Sequence, residues 1–439
     1  MGNFYMKRAI IPERFSAVDG DMILSIAIDA GNALFTANLE LAFDHQLDAE
    51  RLSRAIDLTL DAQPILGCKF FVDGRQMHWE RLNKEEQHSF CLLENEVEFE
   101  QFRTAQIDSR TSPQVKVGLY KRSTGDCLII KHSHQEGDGG GLFDIARELA
   151  AIYNRLKHEP AYQPEPNIHG PRSGKQILRQ ISWTSWPVIM VNFIKLIWSN
   201  NHPKTMHTLS LPACQKHTPW MYTVRHITPV RAARALEYGK KRLATMNDVM
   251  IASYLRALAK VGKWNGQSAL RIRMLVDLRK WYLPEKRAEG ICNLSVFEYV
   301  NLGTHLGDDF EATLARVSAI TRSRKNSYIG LNEIWLAPLV TWLPYRLLVR
   351  LEAHTRRKKV MQKRFPDTVT NVGAIPPESV TFDKQPIAAW VLPPVYFTPP
   401  FLVCFSSYAG SITLSAGVFR GSAAIVDELL DQIVKELPD

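Results

Sequence analysis

The chain has 439 residues, 45% apolar and 23% charged, the proportions of a folded globular protein with room for two or three domains or two fused halves. Its net charge of +9 favours anionic partners, such as the phosphates of coenzyme A, an acidic carrier protein or a membrane surface; without a zinc-finger or RNA-recognition pattern, nucleic acid ranks last. The six cysteines are scattered with no Cys-x-x-Cys pair, so they read as reduced core residues of a cytoplasmic protein rather than a disulfide frame or zinc site, and no metal is expected.

In chain order, Met1–Arg14 carries Lys7 and Arg8 but no long apolar stretch after them, which is not a signal peptide. No run of 18 apolar residues follows anywhere, so no membrane span is expected. Ile23–Ile28 and Leu34–Phe43 read as strands around an Asp29–Asn32 turn. Asp48 caps a helix whose Leu52, Ala55, Ile56 and Thr59 share one face, and Pro64 ends it. Cys68–Val72 and Met77–Glu80 form a hairpin over Asp73-Gly74. Val115–Tyr120 and Cys127–His132 are further strands.

The second of these strands runs into Lys131–Gly141, which reads Lys-His-Ser-His-Gln-Glu-Gly-Asp-Gly-Gly-Gly. An amphipathic helix follows, with Leu142, Ile145, Ala146, Leu149, Ala150 and Tyr153 at helical spacing. The histidines therefore stand where a strand gives way to a helix. Glycines there let the backbone turn and leave its N–H groups open to a ligand. Histidine is the usual general base at neutral pH, because its ordinary pKa lies near 6.5. His134 and Asp138 are separated by three residues, with Gly139 next.

Lys157–Lys175, rich in Pro and Gly, is the expected linker. Trp183–Trp198 is apolar but too short to span a bilayer. Burial in the core is the first reading and membrane contact the second. A strand at Tyr222–Ile227, a helix from Pro229 to about Arg242, and a helix capped by Thr245 with Asp248 at its third position come next. Ile272–Leu278 is a strand and Asp309–Arg322 an amphipathic helix. Leu336–Leu351 is apolar and leads into the basic Arg356–Lys359 cluster, which is a solvated helix face or a docking patch. Thr368–Gly373 reads as a strand end. Phe401–Ser407 and Ser411–Phe419 form a last hairpin before the closing helix Ala423–Leu437.

His134-Gln135-Glu136-Gly137-Asp138-Gly139 resembles the second part of the His-His-x-x-x-Asp-Gly signature of the condensation-domain and alcohol acyltransferase superfamily. Ser133 replaces the first His, and an extra His132 stands one place earlier. Val276-Asp277-Leu278-Arg279 with Gly290-Ile291-Cys292-Asn293, and Thr370-Asn371-Val372-Gly373, are similar to later motifs of that superfamily, in its order. The plant-branch Asp-Phe-Gly-Trp-Gly motif is absent from the sequence. The resemblance implies an α/β fold, an α+β sandwich of two chloramphenicol acetyltransferase-like halves that form a pseudo-dimer around a central channel. Residues 1–175 and 176–439 would be the halves, and the fused pair suits a monomer.

The resemblance further implies acyl transfer from a coenzyme A or acyl-carrier-protein thioester to an alcohol or amine, with no tightly bound cofactor. His134 would be the base, with Asp138 and Gly139 in the catalytic loop. Arg279 would pair with Asp138 and hold that loop. Asn371, His132 and Ser133 would meet substrate. A standalone peptide-forming condensation enzyme, a carrier-binding relative without activity, and a lipid-modifying enzyme peripheral to the inner face of the membrane remain as rivals.

Overall fold

Asp48 begins the first long helix as its sequence predicts. Its carboxylate accepts the Arg51 N–H at 3.0 Å, and the helix Ala49–Ala62 buries the face of Leu52, Ala55, Ile56 and Thr59. The computed structural model describes residues 9–74, 76–198, 205–212, 214, 217–331, 334, 343–397 and 400–438. The basic stretch before residue 9 and most of the apolar stretch at 335–342 lie outside the described residues.

Two sheets organise the molecule. The first has five strands in the order Ala388–Leu392, Thr36–Ala42, Cys127–Ser133, Val115–Tyr120 and Phe90–Leu93. The second has six, in the order Ser295–Gly303, Leu270–Asp277, Thr368–Ala374, Leu402–Tyr408, Ser411–Phe419 and Trp220–Ile227. Each sheet packs its own helices. Ala49–Ala62 and Gly139–Leu156 cover the first around Leu39, Ile130 and Leu142. Met246–Val261 and Ala423–Glu436 cover the second around Ile272, Leu414 and Leu430. The Cys127–Ser133 strand is buried along nearly its whole length, as a central strand covered on both faces must be.

The halves exchange chain. Ala388–Leu392 comes from beyond residue 176 yet pairs antiparallel with Thr36–Ala42, Val391 opposite Leu39. Asp383 anchors the segment that leads into this strand. Its carboxylate meets Arg51, Lys157 Nζ at 2.9 Å and the Tyr153 hydroxyl at 3.1 Å.

Two expectations are corrected. Ile23–Ile28 is not a strand but part of a helix, Asp19–Asp29. Asp21 decides this: its carboxylate accepts the Val18 N–H at 3.0 Å and closes the helix start. The same carboxylate is held by Trp79 Nε1 at 2.7 Å and by Arg172 at 2.7 Å, both contacts distant in sequence. Among the described side chains, the apolar run beyond Trp183 is core only in part. It forms a helix, Trp186–Trp198, on which Ile189 is buried while Val188, Val191 and Ile194 are exposed, and Trp183 before it is 82% exposed. A helix apolar on all sides can seat only one face on a neighbour, and the rest stays in solvent unless something else covers it.

Candidate active site

The strand Cys127–Ser133 ends one residue before His134, whose backbone N–H donates to Phe35 O at 2.7 Å. Three turn residues later Asp138 caps the helix Gly139–Leu156, with Oδ1 accepting the Gly141 N–H at 3.0 Å. His134 is thus fixed between a strand end and a helix N-terminus. Gly139 and Gly140 lie in the first turn, where a helix supplies no acceptors for its own N–H groups. Both positions are crowded. A Cβ on Gly139 would stand 3.0 Å from Val372 Cγ1, and one on Gly140 would stand 2.8 Å from Arg279 Nη1.

Asp138 does more than cap. Its Oδ2 accepts from Arg279 Nη1 at 2.9 Å, the Leu294 N–H at 2.8 Å and the Ser295 hydroxyl at 2.8 Å. Both side chains of the Asp138–Arg279 pair are almost wholly buried. Burial alone would raise the Asp138 carboxyl. The Arg279 guanidinium and the hydrogen bonds from Gly141 and Leu294 outweigh burial and hold it below the usual carboxylate range. Arg279 also donates to Cys292 O at 2.6 Å and Asp277 Oδ1 at 3.2 Å. One buried arginine therefore ties the histidine loop to the opposite half of the molecule.

His134 lines a cavity of about 430 Å³ between the halves. Ile23, Leu24, Phe35, Leu142 and Phe143 form its walls on one side, and Leu275, Phe297, Asn371 and Tyr396 on the other. The Asn293 carboxamide oxygen accepts the Ser295 N–H at 3.2 Å, which turns its NH2 toward His134 Nδ1, 3.4 Å away. Burial pushes the His134 pKa down to about 4, and His132 adds to the shift, so the ring is neutral at physiological pH.

His132 and Ser133 do not reach the cavity. Both are buried behind its wall, and neither lines it. They lie on the ladder with Val115, Ala37 and Thr36, inside the sheet. The His132 ring stands 5.9 Å from the His134 ring, centre to centre, and its Nδ1 is 3.0 Å from Glu136 Oε1. Burial lowers His132 to about 4 and pushes the Glu136 carboxyl well above its usual range.

Asn371 does line the cavity. Its Oδ1 accepts the Gly373 N–H at 2.9 Å and its Nδ2 donates to Asn247 Oδ1 at 3.2 Å, which leaves a second amide hydrogen. Asn247 stands in the first turn of the helix Met246–Val261. Asn293, which closes the Gly290–Asn293 motif, and Ser295 also belong to the site; nothing local to either residue points to His134 or Asp138. Among the described residues there is no cluster of three or more His, Cys, Asp or Glu suited to a metal ion.

Residues 293–439 match the WS/DGAT C-terminal domain, a family of acyltransferases. A search of curated proteins returns no match. In fold, the chain is similar to the first condensation domain of the calcium-dependent antibiotic synthetase, with a TM-score of 0.66, 12% identity, and 99% and 98% of the two chains covered. Polyketide synthase associated protein 5 from Mycobacterium tuberculosis gives a TM-score of 0.60 at 13% identity, over 96% and 97% of the chains. The epimerization domain from the third module of tyrocidine synthetase B gives 0.62 at 13%, over 98% of each.

Proposed function

Since residues 293–439 match the WS/DGAT C-terminal domain and the whole chain carries the condensation-domain fold, we propose that the protein is an acyltransferase that moves an acyl group from a coenzyme A or carrier-protein thioester to an alcohol or amine. The observation that carries this reading is His134: a neutral imidazole on the wall of a largely apolar crevice, beside the open N–H groups of a helix start.

The acceptor hydroxyl attacks the thioester carbonyl carbon while an unprotonated nitrogen of His134 takes its proton. A tetrahedral intermediate forms with negative charge on the former carbonyl oxygen. The Gly139 and Gly140 N–H groups and the spare Asn371 amide hydrogen, on residues that line the cavity, would be its donors. The C–S bond then breaks, the thiolate leaves, and the imidazolium returns the proton to sulfur. Asp138 and Arg279 hold the loop and exchange no proton. No covalent acyl-enzyme is needed.

The test is thiol release from acyl thioesters with a panel of alcohols and amines. Turnover with alcohols supports O-acylation, turnover with amines alone the peptide-type rival, and none with either the carrier-binding rival suggested by Ser133. The pH profile follows from the depressed pKa. A base is competent only when unprotonated, and His134 stays unprotonated down to about pH 4. The acid limb of kcat/KM is therefore expected near pH 4–5, with a plateau from 6 to 8; a limb centred at 6.5 would mean that burial does not depress the base.

A second reading concerns location. No described helix is long and apolar enough to cross a membrane. On the helix Tyr345–Met361, Leu347 and Leu351 are exposed in line with Leu343, and Arg346, Arg350 and Arg357 are exposed on the same helix. This is the pattern of a helix lying on an anionic lipid surface. Co-sedimentation with anionic vesicles in low salt, weakened by about tenfold or more in high salt, is the expected outcome; equal recovery from neutral vesicles would contradict it.

A further inference from the structure

In one direction the crevice stops where the two sheets touch. Phe35, one residue before the strand Thr36–Ala42, accepts the His134 N–H at 2.7 Å and so marks the row of the base. Ala37 and Leu39 follow along that strand, two residues apart and on one face. Phe35 and Ala37 line the cavity, whereas Leu39 is fully buried and does not. Opposite Leu39 stands Val391 of the strand Ala388–Leu392, and Val391 does line the cavity.

The second sheet ends the cavity at the same place. On the strand Leu402–Tyr408, Leu402 and Cys404 line it. Ser406, next on that face, instead accepts the Val391 N–H at 3.2 Å. Ser415, the ladder partner of Cys404, donates its hydroxyl to Val391 O at 2.6 Å. Ala388–Leu392 is an edge strand of the first sheet, so the outward N–H and C=O of Val391 have no ladder of their own. The two serines satisfy both groups and pin the strand to the opposite sheet. From the Phe35 row to the Leu39 row is four residues, roughly 13 Å at about 3.3 Å per residue. Phe35, Ala37, Val391, Leu402 and Cys404 carry no charge along this length. Burial pushes the Cys404 thiol up to about 12, so it stays protonated and presents a small apolar surface. Such a branch recognises hydrocarbon by excluding water.

We propose that this branch is a length-limiting pocket for a straight alkyl chain on one of the two substrates, with Ala37 leaving the passage open and Val391 forming the stop. An extended chain advances roughly 1.2 to 1.3 Å per carbon, so about ten carbons fit between the base and the stop. The assignment rests on the acyl-transfer reading above and adds to it the size of the chain. The chain can arrive as the acyl group of the thioester or as the alcohol; the chemistry that binds it is the same.

Two series on the full chain, read by thiol release, test it. One varies saturated acyl coenzyme A from about two to sixteen carbons with a single short alcohol. The other varies linear alcohols over the same lengths with acetyl coenzyme A. In the wild type one series should climb about two- to fourfold in kcat/KM per added carbon and break at roughly ten carbons. The series with the break names the substrate that carries the chain. Ala37→Leu should lower the long members about 10- to 100-fold more than the two-carbon member. Val391→Ala keeps the backbone bonds to both serines and should move the break one or two carbons longer. A melting curve accompanies each variant. A break that neither folded variant moves, an equal loss at every length, or no length dependence in any series would overturn the pocket. Calorimetry with the linear alcohols alone separates binding from reaction. A length limit that the variants shift there, without thioester turnover, would leave the pocket standing and count against acyl transfer.

Discussion

His134→Ala is expected to lower acyl transfer from a thioester about 10²- to 10⁴-fold in kcat, with KM for the donor nearly unchanged. The reason is positional. The imidazole is the titratable ring that faces the cavity from the strand end, while His132 is sealed behind it with Glu136. Removing the ring takes away the proton acceptor and leaves the helix-start donors and the apolar walls in place. The fold should survive, because the ring's one side-chain hydrogen-bond partner among the described residues is Asn293, at 3.4 Å, and the His132 ring stands 5.9 Å away. Thiol release and a melting curve on the same preparation check both parts. Wild-type turnover in a folded variant would remove His134 from the mechanism.

Arg279→Ala should destabilise the protein by about 3–5 kcal/mol, the usual cost of leaving a buried charge without its partner. Asp138 would keep the hydrogen bonds from Gly141, Leu294 and Ser295 but lose the cation that outweighs its burial. Asp277→Ala is the internal comparison. It removes the other carboxylate near Arg279, at 3.2 Å, but leaves the Asp138 pair whole, so a loss of about 1 kcal/mol is expected. Denaturant midpoints for the two variants decide the matter. Equal losses would mean that the Asp138 pair carries no special weight. Activity should fall with Arg279→Ala even below its unfolding midpoint, because the pair joins the histidine loop to the half that supplies Asn371 and Leu275.

His132 shows where pattern and placement part. Alternation would place His132 and His134 on one face if the strand reached His134, and the rings do stand 5.9 Å apart. Only one of them reaches the crevice, because the strand ends at Ser133 and the chain turns at His134. The error at Ile23–Ile28 has the same origin. A short apolar run suits either a strand or a helix. The choice fell to Asp21, whose partners Trp79 and Arg172 lie 58 and 151 residues further on.

The amino-acid sequence by itself determined what is local: the Asp48, Asp138 and Thr245 helix starts, the Asp73-Gly74 and Ala409-Gly410 turns, the buried strand before the histidine, and the loop that carries it. These depend on hydrogen bonds and backbone torsions within a few residues, so spacing and residue type suffice to read them. Only the tertiary structure decided that Asn293 stands beside His134, 159 residues away, and that Ser295 holds Asp138 across 157. Such contacts arise when two separately cored sheets face each other, and no short-range preference in the chain encodes which of their residues will touch.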